Sequence, residues 1–177
     1  MKKLALALMF CGASAFAATV NYTTTGSFGS DGLPSVTVGA ATITFAGEST
    51  TQMADAGGTF TQVGTFTVTG GATAAFSDSF TLDILQSSPA GSGTTTSPIV
   101  GNISSNGSTI SINFVPSSLN INGAAWTFYS TPINQPSVNG GVTTLNEFVA
   151  APEPASLGLI GSSLVGLGLA FRRRFAK

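Results

Sequence analysis

Between Ala18 and Ala151 apolar side chains recur at every second position in short runs. Ala41, Ile43 and Phe45 share one parity, as do Phe66 and Val68, then Phe80, Leu82 and Ile84, then Ile110, Ile112 and Phe114, and last Trp126 and Phe128. Successive side chains of a strand point to opposite faces, so this period predicts strands with one buried face; a helix would repeat its apolar positions every three or four residues. The alternate positions are Thr, Ser, Asn and Gln, as with Thr65, Thr67 and Thr69 around Phe66 and Val68. Clusters of Gly, Pro, Asn and Ser punctuate the runs at Gly29 to Pro34, Gly57-Gly58, Gly70-Gly71, Asn106-Gly107 and Gly140-Gly141. Several short strands at this spacing predict an all-β domain over residues 18–149, an antiparallel β-sandwich of jelly-roll-like type. Asn106-Gly107 is the expected tight hairpin turn, because both residue types accept positive φ. Ser87 to Pro98, "SSPAGSGTTTSP", reads as a mobile low-complexity loop, and Thr131 to Asn139 as a second long connection.

The two ends have a different texture. Lys2 and Lys3, the apolar run Leu4 to Phe10 and the small-x-small sequence Ala15-Phe16-Ala17 have the order of a secretory signal peptide over residues 1–17, a signal helix with cleavage between Ala17 and Ala18. This implies passage through the Sec translocon and cutting by signal peptidase. Cys11 follows Leu8 at lipoprotein spacing, but Phe10 stands where a small residue normally precedes a lipidated cysteine. At the other end, the uncharged segment 155–171 would make a helix of about 25 Å, a marginal span of a hydrocarbon core of about 30 Å. Arg172, Arg173 and Arg174 open the basic tail 172–177 and act as a stop-transfer flank that stays cytoplasmic, leaving the body outside the inner membrane. Residues 150–154 form the linker, and within it Pro152-Glu153-Pro154 can neither continue a helix nor pair within a central strand, because both prolines lack an N–H and restrict the residue before them.

Charge sharpens this division. Only 7% of the residues are charged, against roughly 25% in ordinary soluble domains, and all six basic residues lie in the terminal segments. From Ala18 to Ala151 there is no Lys, Arg or His, while Asp31, Glu48, Asp55, Asp78, Asp83 and Glu147 are all acidic. Threonine on the outward positions, polar and strand-favouring at once, supplies the wetting that charge does not. A body of this sign repels nucleic acid, whose recognition needs Lys or Arg on phosphate.

The triplet Pro152-Glu153-Pro154, the glycine-rich apolar stretch after it and the terminal Arg172-Arg173-Arg174 resemble the PEP-CTERM sorting signal of exported proteins in Gram-negative bacteria that possess exosortase. The resemblance covers roughly the last 26 residues. It implies that exosortase, an intramembrane cysteine-dependent transpeptidase-like enzyme, recognises the triplet, removes the helix and passes the body to the cell surface or extracellular matrix. It also implies an association with exopolysaccharide and biofilm. Alternating Phe-rich strands ahead of such a tail resemble, by texture alone, the choice-of-anchor class of bacterial β-domains.

Little in the body suggests catalysis. Nucleophilic catalysis by Ser or Cys needs a neighbouring base, commonly His or Lys, and zinc needs His or Cys; residues 18–151 contain none of these. Asp78 and Asp83, the nearest thing to a paired-carboxylate site, are five apart in one strand and so point to opposite faces. The expectation is a non-catalytic structural protein without cofactor. The alternative is a glycan-binding or calcium-dependent adhesive module, with Tyr22 and Tyr129 as glycan contacts. Calcium accepts carboxylate and carbonyl oxygen, which makes Asp31, Asp55 and Asp78, in or near loops, its candidate ligands. Trp126 shares the parity of Phe128 and is expected in the core, with Tyr129 outside.

Overall fold

The computed structural model of the protein describes residues 18–29, 31–54, 57–151 and 161–166. The alternation resolves into antiparallel sheets. One has five strands in the order β4 (Ser49–Ala54), β1 (Ala18–Phe28), β6 (Ala74–Ser88), β7 (Ala90–Ser104) and β8 (Gly107–Ser108). The other has six, in the order β10 (Ser118–Ile121), β11 (Ala124–Thr127), β13 (Val142–Ala150), β5 (Thr59–Thr69), β3 (Ala41–Gly47) and β2 (Ser35–Val38). Two short strands, β9 (Ser111–Ile112) and β12 (Thr131–Pro132), pair with each other.

Every residue of the five predicted apolar runs is buried in a single core. Its centre is aromatic. Phe80 of β6 meets Phe45 of β3 at 4.9 Å and Phe66 of β5 at 4.8 Å between ring centroids, which joins the two sheets, and it also touches Phe28 of β1 at 5.2 Å. Each such side chain, taken out of water, contributes roughly 1.5–3 kcal/mol. Gly26 makes room for this packing, since a Cβ there would lie 2.4 Å from the Phe80 ring.

The core also holds a polar spine that hydrophobic alternation does not show. Trp126 and Tyr22 meet edge to face at 5.0 Å across the sheets. The Trp126 indole donates to Gln86 Oε1, and Gln86 Nε2 donates to the carbonyls of Pro89 and Ile121. The Tyr22 hydroxyl donates to the Gln62 carbonyl and is 2.6 Å from Thr61 Oγ1. Buried polar groups are tolerated when they are bonded in this way.

Two sequence expectations are corrected. Ser87 to Pro98 is the turn and first part of the returning strand of the β6–β7 hairpin, with Ser87 opposite Ala90 and Phe80 opposite Ser97. Its inward positions are polar: buried Thr95 donates to the Pro116 carbonyl at 2.7 Å, and buried Ser97 accepts from the Asn113 amide at 2.7 Å. Gly91 and Gly93 pack beneath Ile121, where a Cβ would come within 2.8 and 2.9 Å of that side chain, so these glycines serve close approach rather than looseness. The tight hairpin turn with positive φ is Asn122-Gly123, not Asn106-Gly107. Its residues have φ of 48° and 91° and connect β10 to β11 with Ile121 opposite Ala124, while the β7–β8 turn is made by Ser105 and Asn106. Thr131 to Asn139 is the second long connection, and it is held by β12, the bond from Ile133 N to the Ile110 carbonyl, and two bonds from Asn134 to Thr143 Oγ1 and the Val142 carbonyl.

The expected signal helix lies outside the described residues, as does most of the segment 155–171. Residues 161–166 are helical and exposed. Among the described residues no helix is long and apolar enough to cross a membrane.

Candidate functional site

The segment of chemical interest begins where β13 ends. Period two along this strand turns Thr143, Leu145, Glu147 and Val149 inward, and all four are buried. β13 lies between β11 and β5, with Phe148 opposite Thr127 on one side and Phe60 on the other. Val149 and Ala151 are still in the core, so the body is packed up to Ala151. The last strand before the triplet is therefore an interior strand of the larger sheet, anchored on both sides.

The outer face of the same strand carries an aromatic cluster. Phe60 is 61% exposed and Tyr129 47% exposed, and their rings meet at 5.7 Å. Phe148 lies 5.4 Å from Phe60 on its other side and covers Gly58, whose added Cβ would strike the ring at 2.1 Å.

Beneath this cluster is Glu147, with no exposed surface although it is charged by type. Its Oε2 accepts from the Tyr129 backbone amide at 2.8 Å, and its Oε1 has no partner among the described residues. Burial raises its pKa to about 7, only partly offset by the Tyr129 bond. A carboxyl that is neutral when folded and ionised when unfolded makes folding bind a proton. The stabilisation is complete below about pH 4.5 and is lost progressively as pH rises to about 7, beyond which the loss levels off. We expect urea unfolding to show a stability lower by roughly 2–3 kcal/mol at pH 8 than at pH 4.5 from this group. Glu147→Gln keeps an acceptor for Tyr129 and should flatten that dependence, making the variant the more stable protein at pH 8; an unchanged pH profile would contradict it.

The comparisons bear on the segment that follows. The family of the PEP-CTERM protein-sorting motif matches residues 150–174. The chain carries a PEP-CTERM sorting domain. The match starts at Ala150, the final residue of β13, so the sorting domain is continuous with an interior strand of the body. It contains Pro152, Glu153, Pro154 and Arg172 to Arg174. A PEP-CTERM domain directs exosortase-dependent sorting to the cell surface, and exosortase is the processing partner it implies. No curated protein and no solved structure matches the chain.

The other residues singled out in the sequence are dispersed. Tyr22 is 2% exposed, its hydroxyl is engaged inside, and burial raises its pKa, so it has no surface for a glycan. Its parity with Val20 and Phe28 on β1 was the signal for that burial. Tyr129 is exposed, but its ring meets Phe60, which in turn meets Phe148, and not Tyr22. Asp31 is exposed in the turn after β1, and Asp78 Oδ1 accepts from the Ser79 amide at 2.7 Å. Asp55, Ala15, Ala17, the PEP triplet and the arginines lie outside the described residues, as does the structural setting of each. Among the described residues no three acidic, His or Cys side chains come together as metal ligands. Glu147 is the residue that sequence reasoning passed over; its shared parity with Leu145 and Val149 was the available sign.

Proposed function

We propose that this protein is exported through the Sec translocon, cut by signal peptidase between Ala17 and Ala18, and held in the inner membrane by residues 155–171 with Arg172 to Arg174 on the cytoplasmic side. Exosortase then releases it at the PEP triplet. The body, a jelly-roll-like sandwich without cofactor, serves as a non-catalytic structural component of the cell surface or of the exopolysaccharide matrix of a biofilm.

The observation that carries the release step is the position of the sorting domain. Because β13 is paired on both sides and Ala151 is buried, a cut in or beyond Pro152 to Pro154 leaves every strand of the described residues in place. An address label can be lost without harm only if the fold is complete before it begins. The non-catalytic assignment draws on the body's lack of Lys, His and Cys.

Fractionation of the native host with and without its exosortase tests this. In the intact host the protein should appear outside the cell, open to added protease. Without exosortase it should stay with the inner membrane at the larger mass. Equal surface appearance in both strains would contradict the proposal.

A further inference from the structure

The outward positions of the strands are mostly Thr, Ser and Asn, and the Phe60, Tyr129 and Phe148 cluster departs from that rule. Exposed Leu85 and Val100 belong to the other sheet, each as a single apolar residue among polar ones; here three rings touch in series. Scattered apolar residues are ordinary on a soluble surface, whereas a contiguous patch marks contact with something.

The chain itself limits what that contact is. Ala151 is the last buried residue among the described ones, and Ala155 begins the apolar segment. Four residue steps separate them, at most about 14 Å when fully extended. The headgroup layer on one side of a bilayer is about 5–8 Å thick. The end of β13 is thus tethered within or just above that layer whenever 155–171 is inserted. Phe148 stands three residues back along the strand, about 10 Å, and Phe60 beside it, so a modest tilt of the body brings the rings to the lipid. Aromatic side chains favour this interface, where part of the ring is buried and a polar edge such as the Tyr129 hydroxyl stays wet. The body has no Lys or Arg for attraction to anionic headgroups, so its contact must be made by apolar groups and suits a zwitterionic surface.

We propose that Phe60, Tyr129 and Phe148 form a face that rests on the lipid–water interface of the membrane holding the tail. The proposal depends on residues 155–171 being the membrane segment, as in the function proposed above. Docking would orient the sandwich and hold Pro152 to Pro154 at the bilayer surface, at the depth where an intramembrane enzyme meets its substrate. Once the tail is cut the tether is gone, and a patch of three rings is too small to keep the body on the membrane.

The test uses the chain from Ala18 to Lys177, as the proposed signal-peptidase cut leaves it, reconstituted in phosphatidylcholine vesicles, carrying an environment-sensitive fluorophore on Thr127→Cys or on Ser77→Cys. Thr127 lies on the outer face opposite Phe148; Ser77 is exposed on the outer face of the other sheet. With spin-labelled headgroups in the vesicles, quenching should be several-fold stronger at position 127 than at 77. Phe60→Ser with Tyr129→Ser should bring the two sites to the same level while the circular dichroism spectrum and melting midpoint stay unchanged. If the chain floats with the vesicles and the two sites quench equally, the docking face is overturned and the membrane tail stands. If the chain does not float, the tail reading fails and docking fails with it. Quenching that survives the double substitution would show that the rings do not make the contact. Shielding of position 127 by a soluble neutral polysaccharide and not by vesicles would assign the patch to a glycan and overturn the lipid proposal.

Discussion

Phe80→Ala should bring the protein close to unfolding. The ring has no exposed surface and is shared between the two sheets through Phe45 and Phe66, with Phe28 and Phe114 around it. Truncating a buried Phe costs about 3–5 kcal/mol, through lost transfer energy and through the cavity left behind, which rigid neighbours fill only in part. Set against a total stability of about 5–15 kcal/mol for a domain, that loss is a large share, and no disulfide in the body compensates for it. Trp126 is the sole tryptophan and is buried between the sheets, so its fluorescence reports unfolding in urea directly. The midpoint should fall steeply for Phe80→Ala with little change in slope, and Phe60→Ala, on the exposed patch, should move it by less than about 1 kcal/mol. Comparable small effects from both would mean that the ring cluster is not the centre of the fold.

Replacing Pro152, Glu153 and Pro154 together by alanine should abolish release in the native host. The two prolines keep the stretch after β13 extended and free of backbone pairing, and alanine is the strongest helix former. The substituted linker is then able to join the apolar segment in one continuous helix, which hides the backbone from a cleaving enzyme and removes the residues it reads. The fold should be untouched, because the last described strand, β13, ends at Ala150 and is paired on both sides. The expected outcome is full retention in the membrane fraction at the unprocessed mass, with unchanged Trp126 fluorescence. Processing at the normal rate would show that the triplet is not the feature recognised.

The two predictions draw on different depths of the sequence. Period two was enough to place Ile43, Phe66, Phe80, Ile112 and Trp126 in one core, since a strand has only two faces and only one of them was apolar. It failed wherever the inward positions were polar. Thr95 and Ser97 face inward on β7, but they are satisfied by the Pro116 carbonyl and the Asn113 amide, partners that lie far along the chain. Composition made the same segment look loose, because Gly91 and Gly93 carry no mark to show that Ile121 packs over them. For the turns, three Asn-Gly pairs were available, at Asn106, Asn122 and Asn139, and the choice among them depends on which flanking residues end up opposite each other, a matter of register rather than of the dipeptide.

The candidate sites divide in the same way. The sorting domain was legible because it is a linear label, read as a sequence by its enzyme. The aromatic face was not, because Phe60, Tyr129 and Phe148 come from distant parts of the chain, two strands and the connection between β11 and β12, and only the pairing of β5 with β13 brings two of them side by side. Glu147 looked like one more surface acid in an acidic body. Only its parity spoke against that, and the unusual pKa follows from the packing around it, not from any neighbour in sequence.

The central claim is that the informative end of the chain is absent from the working protein, and the intact mass of the protein recovered from outside its native host tests it most directly. The account predicts a species that begins at Ala18 and ends in or just beyond Pro152 to Pro154, without residues 155–177 as encoded. A mass that still includes Arg172, Arg173 and Arg174 would contradict it.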